Sequence, residues 1–138
     1  MITYMPTVSS KYLGSLRTEA THLQSGTQLT SDAPTDNQGK GEYFSPTDLV
    51  ATALGSCMVT IMGISARTHG FDLEGLTWEV TKIMADNPRR IGEVAVHLDF
   101  HGKDYTDQHK RVIEHITSTC PVALSLHPEL KQTIMIKW

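Results

Sequence analysis

The longest uncharged stretch of the sequence, Leu49 to Ala66, sets the strongest limit on the fold, because eighteen residues without a charge have to be shielded from water. Ser45 and Pro46 precede it as an N-cap and a first-turn residue, and Asp48 completes a capping box near the positive helix end. Gly70 follows two basic residues, which is typical of a helix end. The pattern predicts one long helix between Ser45 and Gly70.

A run of eighteen apolar or small residues is also long enough to be tested as a membrane-spanning helix. Six of the eighteen are Thr, Ser or Gly, and the flanking segments alternate like strands. We therefore expect a helix that is buried by protein, and no membrane as a partner.

The predicted helix has no polar face, so either the rest of a 138-residue chain or a second subunit has to cover it. Ala51, Gly55, Val59 and Gly63 recur at every fourth position, and this ridge would let another backbone approach closely. On the pattern alone, a central helix in a monomer and a helix shared by a homodimer are equally open.

Length and charge restrict the class of protein. A chain of 138 residues with 39% hydrophobic and 20% charged residues predicts one globular domain spanning residues 1–138. Its net charge is −3 and its twelve basic residues form no run, so nucleic acid is not an expected partner. The first ten residues lack the pattern of a secretory signal, which favours a cytoplasmic location.

Strands and shorter helices are predicted on both sides of the long helix. The predicted strands are Val8–Tyr12, Arg17–His22, Gln28–Ser31, a segment from Leu76 to Met84, a segment from Val94 to Phe100, and residues 133–138. The predicted shorter helices run from Tyr105 or Thr106 to Thr119 and from Pro121 to about Leu126. The resulting order, βββ–α–ββ–αα–β, predicts an α+β fold and not a doubly wound parallel sheet.

The chain has two cysteines, Cys57 and Cys120, 63 positions apart. Cys57 lies on the long helix, where a lone cysteine is most often a small buried hydrophobe. Cys120 precedes Pro121 at a helix start, where unpaired N–H groups would stabilise a thiolate and lower the thiol pKa below about 8.5. A redox dithiol pair and two unrelated buried cysteines both remain open, because spacing does not show adjacency.

Another set of residues could hold a metal but lacks a ligand motif. His97 and His101 share a strand face with Glu93 and Asp99. No CxxC, HExxH or similar spacing accompanies them, so a solvated strand face is the favoured interpretation and no metal site is expected.

Two segments together resemble the OsmC/Ohr family, the osmotically inducible and organic hydroperoxide resistance proteins: "FSPTDLVATALGSCMVTIM" and, later in the chain, "CPVALSL". The resemblance implies an intertwined α+β homodimer that reduces hydroperoxides with a cysteine pair, in sites built from both chains. It implies that Cys57 is the peroxidatic cysteine and Cys120 the resolving one. The residues alone favour Cys120 as the nucleophile, and the resemblance reverses that preference.

The resemblance also implies a cation that holds Cys57 as a thiolate and an acid that orients this cation. Family members carry Glu directly after the helix-start proline, where this chain has Thr47 followed by Asp48. Arg17 and Lys40 are the candidate cations, and Arg17 is preferred because a guanidinium stays charged when buried. The predicted catalytic residues are thus Cys57, Cys120, Arg17 and Asp48.

The implied reaction is the reduction of organic hydroperoxides or hydrogen peroxide, with an external dithiol as the reductant and no metal or organic cofactor. The alternative is a non-catalytic OsmC-like domain that binds an apolar small molecule, in which Cys57 is a packing residue.

Overall fold

The structure, a computed structural model, describes Met1 and residues 4–138. Residues 2 and 3, which belong to the segment inspected for a secretory signal, lie outside the described residues. The chain forms two compact units, Met1–Leu49 and Val50–Trp138. The prediction of one domain over residues 1–138 stays a prediction.

The element order confirms the predicted α+β class. The elements are β1 (Val8–Gly14), β2 (Arg17–His22), β3 (Gln28–Asp32), α1 (Pro46–His69), β4 (Thr77–Ala85), β5 (Arg90–Asp99), α2 (Asp107–Ile116), α3 (Pro121–Ser125) and β6 (Lys131–Lys137). A single turn of 3₁₀ helix, Thr35–Asn37, lies in the loop between β3 and α1. The sequence did not predict that turn.

The first unit is built on an antiparallel sheet in the order β1-β2-β3. The turn between β2 and β3 sets a register in which Arg17 lies opposite Asp32. After the loop, the chain returns to β3, where the Asp32 N–H donates to the Phe44 carbonyl over 3.1 Å. Both ends of this loop are thereby held beside Asp32.

The start and the end of α1 follow the predicted pattern. The Ser45 N–H donates to Asp48 Oδ2 over 2.9 Å, and the Asp48 N–H donates to Ser45 Oγ over 3.0 Å. This reciprocal pair is the predicted capping box. Gly70 follows the helix with φ +74°, a conformation that glycine adopts without steric cost.

The second unit is built on a sheet in the order β4-β5-β6, in which β4 and β5 are antiparallel and β5 and β6 are parallel. A parallel pair needs a crossover connection, and α2 with α3 supplies it. Alternating β5 side chains point into the core together with one face of α1. The most buried of these core residues are Leu54, Met58, Met62, Val94, Val96 and Leu98.

At Gly55, the ridge of small residues on α1 is covered by the same chain. A side chain at Gly55 would lie 2.9 Å from Trp78 Nε1 and 2.9 Å from Val80 Cγ2, so β4 of the same chain covers this position. The sequence pattern showed that a close approach occurs there but could not show which element makes it.

The opposite face of α1 is apolar and exposed. Val50 is 38% exposed and Ile64 is 58% exposed. By length and composition, α1 is the one helix among the described residues that could cross a membrane, and 33% of its most apolar segment is buried within the chain. Buried core helices pass the same test of length and composition.

Candidate active site

The two cysteines meet within the second unit. Cys57 lies near the middle of α1 and is half-buried, next to the fully buried Met58. Cys120 is the N-cap residue of α3 and is 0% exposed. The two side chains interact, since Cys57 contributes to the raised pKa of Cys120, and both are free thiols. The topology therefore brings together two residues that are 63 positions apart in the sequence.

The Cys120 thiol has a raised pKa. The largest cause is burial, which disfavours the thiolate, and the hydrogen bond to Cys57 raises the pKa further. The Ala123 N–H donates to Cys120 Sγ over 3.4 Å and lowers the pKa, but this effect does not prevail. The expectation that the helix start would lower the Cys120 pKa is therefore wrong, because burial outweighs the N–H groups of a five-residue helix.

This arrangement suits a pair of thiols with different tasks. Cys120 is held in the neutral form, because burial and the neighbouring Cys57 both raise its pKa. Cys57 is the more exposed of the two and lies on a rigid helix. Two interacting free thiols are candidates for a disulfide.

The first unit contains a separate charged cluster around Arg17. Its Nε donates to Asp32 Oδ1 over 2.7 Å, and its Nη2 donates to Asp32 Oδ2 over 2.9 Å. Nη2 also donates to Glu42 Oε2 over 3.2 Å, and the guanidinium lies 4.7 Å from the centre of the Tyr43 ring. The bidentate contact with Asp32 fixes the plane of the guanidinium.

The charges of this cluster are stabilised by each other. Asp32 is only 2% exposed, yet the hydrogen bond from Arg17 holds its pKa below the usual value against the opposing effect of burial. A hydrogen bond from the Glu42 N–H to Asp32 Oδ2, 3.1 Å long, acts in the same direction. The same contacts raise the Arg17 pKa, so this side chain is a permanent cation.

Sequence reasoning missed Asp32 and Glu42 as the partners of Arg17. The predicted strand ended at Ser31, one residue before Asp32, and the register that places Asp32 opposite Arg17 comes from the structure. Glu42 follows a glycine-rich loop, for which the sequence offers no register. The carboxylates that orient Arg17 are therefore found only with the tertiary structure.

The other predicted site residues of the first unit have different surroundings. Asp48 forms the capping box with Ser45, and the Thr47 hydroxyl lies 3.2 Å from Ser45 Oγ. Lys40 is exposed, and its charge contributes to the lowered pKa of Asp32. The cysteines belong to the second unit, whereas Arg17, Lys40 and Asp48 belong to the first.

The polar face of β5 makes contacts within its own sheet. His97 Nε2 lies 2.9 Å from Met135 Sδ, and His101 Nε2 lies 2.7 Å from Thr77 Oγ1. Glu93 accepts a hydrogen bond of 2.8 Å from the Thr133 hydroxyl. Among Met1 and residues 4–138, no group of three or more His, Cys, Asp or Glu side chains is placed to hold a metal ion.

These observations define an α+β protein with a contacting pair of free thiols. The sequence matches the profile of the family described as OsmC-like protein over residues 39–135. The chain therefore belongs to the OsmC-like family, as the two cysteine motifs predicted. We found no significant match among curated protein sequences.

Solved structures support the same assignment. A candidate osmotic-stress-induced and detoxification response protein from Psychrobacter arcticus 273-4 is 49% identical, with a TM-score of 0.92 over 98% of each chain. The organic hydroperoxide resistance protein OsmC from Legionella pneumophila is 15% identical, with a TM-score of 0.76 over 99% of this chain and 100% of its own. An organic hydroperoxide resistance protein from Elizabethkingia anophelis is 13% identical, with a TM-score of 0.73 over 99% of each chain. The last two show the shared fold.

Proposed function

We propose that the protein reduces organic hydroperoxides or hydrogen peroxide through the Cys57/Cys120 pair, as a defence against oxidative stress. The observation that carries the proposal is the interaction between the two thiols on a chain of the OsmC-like family. The names of the Legionella and Elizabethkingia proteins of the same fold point to hydroperoxides as the class of substrate.

The reaction proceeds in three balanced steps. The Cys57 thiolate attacks one oxygen of the hydroperoxide and the O–O bond breaks, which gives Cys57 sulfenic acid and an alkoxide, or hydroxide from hydrogen peroxide. This leaving group takes up a proton from water, equivalent to the one that Cys57 released on ionisation, and departs as an alcohol or as water. The Cys120 thiol then attacks the Cys57 sulfur, forming the disulfide and releasing water. An external dithiol reduces this disulfide and leaves as its own disulfide.

The two cysteines are not interchangeable in this scheme. Cys57 is half-buried, so a small peroxide can reach it, whereas Cys120 is 0% exposed. Burial raises the Cys120 pKa and keeps this side chain as a thiol. The structural asymmetry therefore favours Cys57 as the attacking residue and Cys120 as the resolving one.

Arg17 and Asp48 complete the proposal, on the basis of the family pattern. A fixed cation favours a thiolate, and Arg17 is held in one orientation by Asp32 and Glu42. In this proposal Asp32 and Glu42 orient the cation. In the family this role belongs to the glutamate after the helix-start proline, where this chain has Thr47. Asp48 contributes by fixing the start of α1 through its capping box.

The proposed partner is a second copy of this chain. The exposed apolar face of α1, with Val50 and Ile64, and the exposed β1 strand need a cover, and the family resemblance implies a homodimer. Sedimentation at micromolar concentration is expected to show a dimer, and a folded monomer would contradict it.

Thiol titration tests the proposed reaction. The reduced protein is expected to show two reactive thiols when denatured, and none after one equivalent of cumene hydroperoxide, with a Cys57–Cys120 disulfide in the peptide map. If both thiols persist after exposure, the peroxidase proposal fails. Binding of an apolar small molecule, with Cys57 as a packing residue, then becomes the better account.

A further inference from the structure

Cys120, the proposed resolving cysteine, caps a helix that is too short to be stable without tertiary contacts. α3 has five residues, and isolated helices of this length are not stable in water. Cys120 is its N-cap residue, so the position of the Cys120 sulfur depends on what fixes α3 against the rest of the second unit.

A glutamine of β6 provides such an anchor. Gln132 Nε2 donates to the Ala123 carbonyl over 3.0 Å, and the Ala123 N–H donates to Cys120 Sγ. The middle residue of α3 is therefore bound on one side by Gln132 and on the other by the thiol itself. Moving Gln132 would move the amide that orients the Cys120 sulfur.

The anchor is itself fixed to the sheet. Gln132 pairs in register with Val94 of β5, which is fully buried in the core. Its two neighbours, Lys131 and Thr133, both contact Glu93, at 3.3 Å and 2.8 Å. The Gln132 side chain therefore extends from a part of β6 that is tied to β5 on both sides.

We propose that Gln132 is a positioning residue for the resolving step, acting through α3 to keep the Cys120 thiol within reach of Cys57. This inference rests on the proposed peroxidase function. In the step concerned, Cys120 attacks the Cys57 sulfenic acid, an S–S bond forms, and water leaves. The rate of an intramolecular step falls steeply when the reacting atoms lose their alignment, whereas the first step involves Cys57 and peroxide alone.

Single-turnover kinetics separate the two steps. Gln132→Leu and the isosteric Gln132→Glu both remove the neutral amide donor, and Gln108→Leu is a matched change at an exposed position of α2. After one equivalent of cumene hydroperoxide, we expect Cys57 oxidation to stay within about twofold of wild type in all three. Disulfide closure should be roughly tenfold slower in both Gln132 variants only, with a sulfenic acid that a dimedone probe captures.

Equal closure rates in the wild type and both Gln132 variants would overturn the inference. The inference would also be overturned if Gln132→Leu slowed Cys57 oxidation and disulfide closure equally while Gln132→Glu kept both wild-type rates. That result would indicate general misfolding of the leucine variant and no specific role of the amide donor.

A peroxide-independent measurement keeps the two proposals distinguishable. Oxidised glutathione places a mixed disulfide on Cys57, and Cys120 then displaces glutathione. The effective concentration of the Cys120 thiol is expected to fall roughly tenfold in the Gln132 variants. If the wild type ignores peroxide but shows this fall, the peroxidase proposal is wrong and the positioning role stands; if the effective concentration is unchanged, the positioning role is wrong.

Discussion

Cys120 in the second unit and Asp32 in the first are both buried acids, yet the pKa of Cys120 is raised and the pKa of Asp32 is lowered. The first shift disfavours the charged form, and the second favours it. Cys120 is 0% exposed and Asp32 is 2% exposed, and burial raises the pKa of both. Arg17 reverses the effect at Asp32 by donating two hydrogen bonds of 2.7 and 2.9 Å. Cys120 is approached by the backbone N–H groups of Ala123, at 3.4 Å, and Val122, but no cation is among the causes of its shift, and burial prevails.

The comparison shows that the partner decides the charge of a buried acid. A cation with fixed geometry keeps Asp32 ionised, while a thiol neighbour and a short helix leave Cys120 neutral. The first region therefore offers permanent charge, and the second offers two free thiols, of which Cys120 is held neutral. The predictions below test these two descriptions.

Replacing one cysteine by serine should have the largest effect on peroxide consumption. Cys57→Ser is expected to abolish peroxide consumption, because it removes the attacking sulfur. Cys120→Ser should permit one turnover and leave a sulfenic acid on Cys57, detectable by mass spectrometry with a dimedone probe. Turnover in Cys57→Ser would contradict the assignment of the two roles.

Removing the fixed cation tests whether the charged region acts on the dithiol. Arg17→Ala is expected to slow the alkylation of Cys57 by iodoacetamide several-fold at neutral pH, because a fixed cation favours the thiolate. Lys40→Ala is the matched control and should have little effect, since Lys40 is exposed and screened by salt. A larger effect of Lys40→Ala would show that the assignment is reversed.

Local signals in the sequence were sufficient for the elements. The capping box of Ser45 and Asp48, the glycine after α1 and the alternation along β5 depend on neighbours within a few residues, and the structure confirms all three. Patterns of this kind carry their own physical cause, because each satisfies backbone groups or buries one face.

The properties that were missed depend on residues distant in sequence. Burial by the whole second unit, and not its helix position, sets the Cys120 pKa. Trp78 and Val80 of β4 cover Gly55, whereas the sequence left open whether the same chain or a partner chain would lie there. Glu42 reaches Arg17 from a loop whose path no local pattern specifies. Each of these requires knowing which element lies against which.

Packing beside the dithiol gives a smaller, thermodynamic effect. Gly55→Leu is expected to destabilise the protein by about 1–3 kcal/mol or more, because its side chain would meet Trp78 and Val80 at 2.9 Å. Urea unfolding measures this loss. Gly63→Leu is the control, since the nearest atom to a Cβ at Gly63 is Leu73 Cδ1 at 4.0 Å. Equal stability of wild type and Gly55→Leu would show that β4 does not restrict this position.

At acidic pH, the unfolding free energy should depend on the titration of Asp32, and it should fall as the pH falls. Because its pKa is lowered in the folded state, its contribution is present above the unfolded value of about 3.9 and is lost as the pH falls through the folded pKa. Asp32→Asn should therefore flatten the fall in unfolding free energy at acidic pH. An unchanged acid profile in urea unfolding would show that Arg17 does not lower the Asp32 pKa.

At alkaline pH, the unfolding free energy should depend on the titration of Cys120, and it should fall as the pH rises. Its folded pKa is raised, so its contribution is fully present below the unfolded value of about 8.5 and is lost as the pH rises through the folded pKa. With a phosphine reductant present, wild type should lose unfolding free energy above about pH 8.5 more steeply than Cys120→Ala. The test compares the slopes of unfolding free energy against pH and not the absolute free energies, because Cys120→Ala also removes a buried sulfur. Parallel slopes would mean that Cys120 titrates as it does in the unfolded chain, and the contrast with Asp32 would no longer hold.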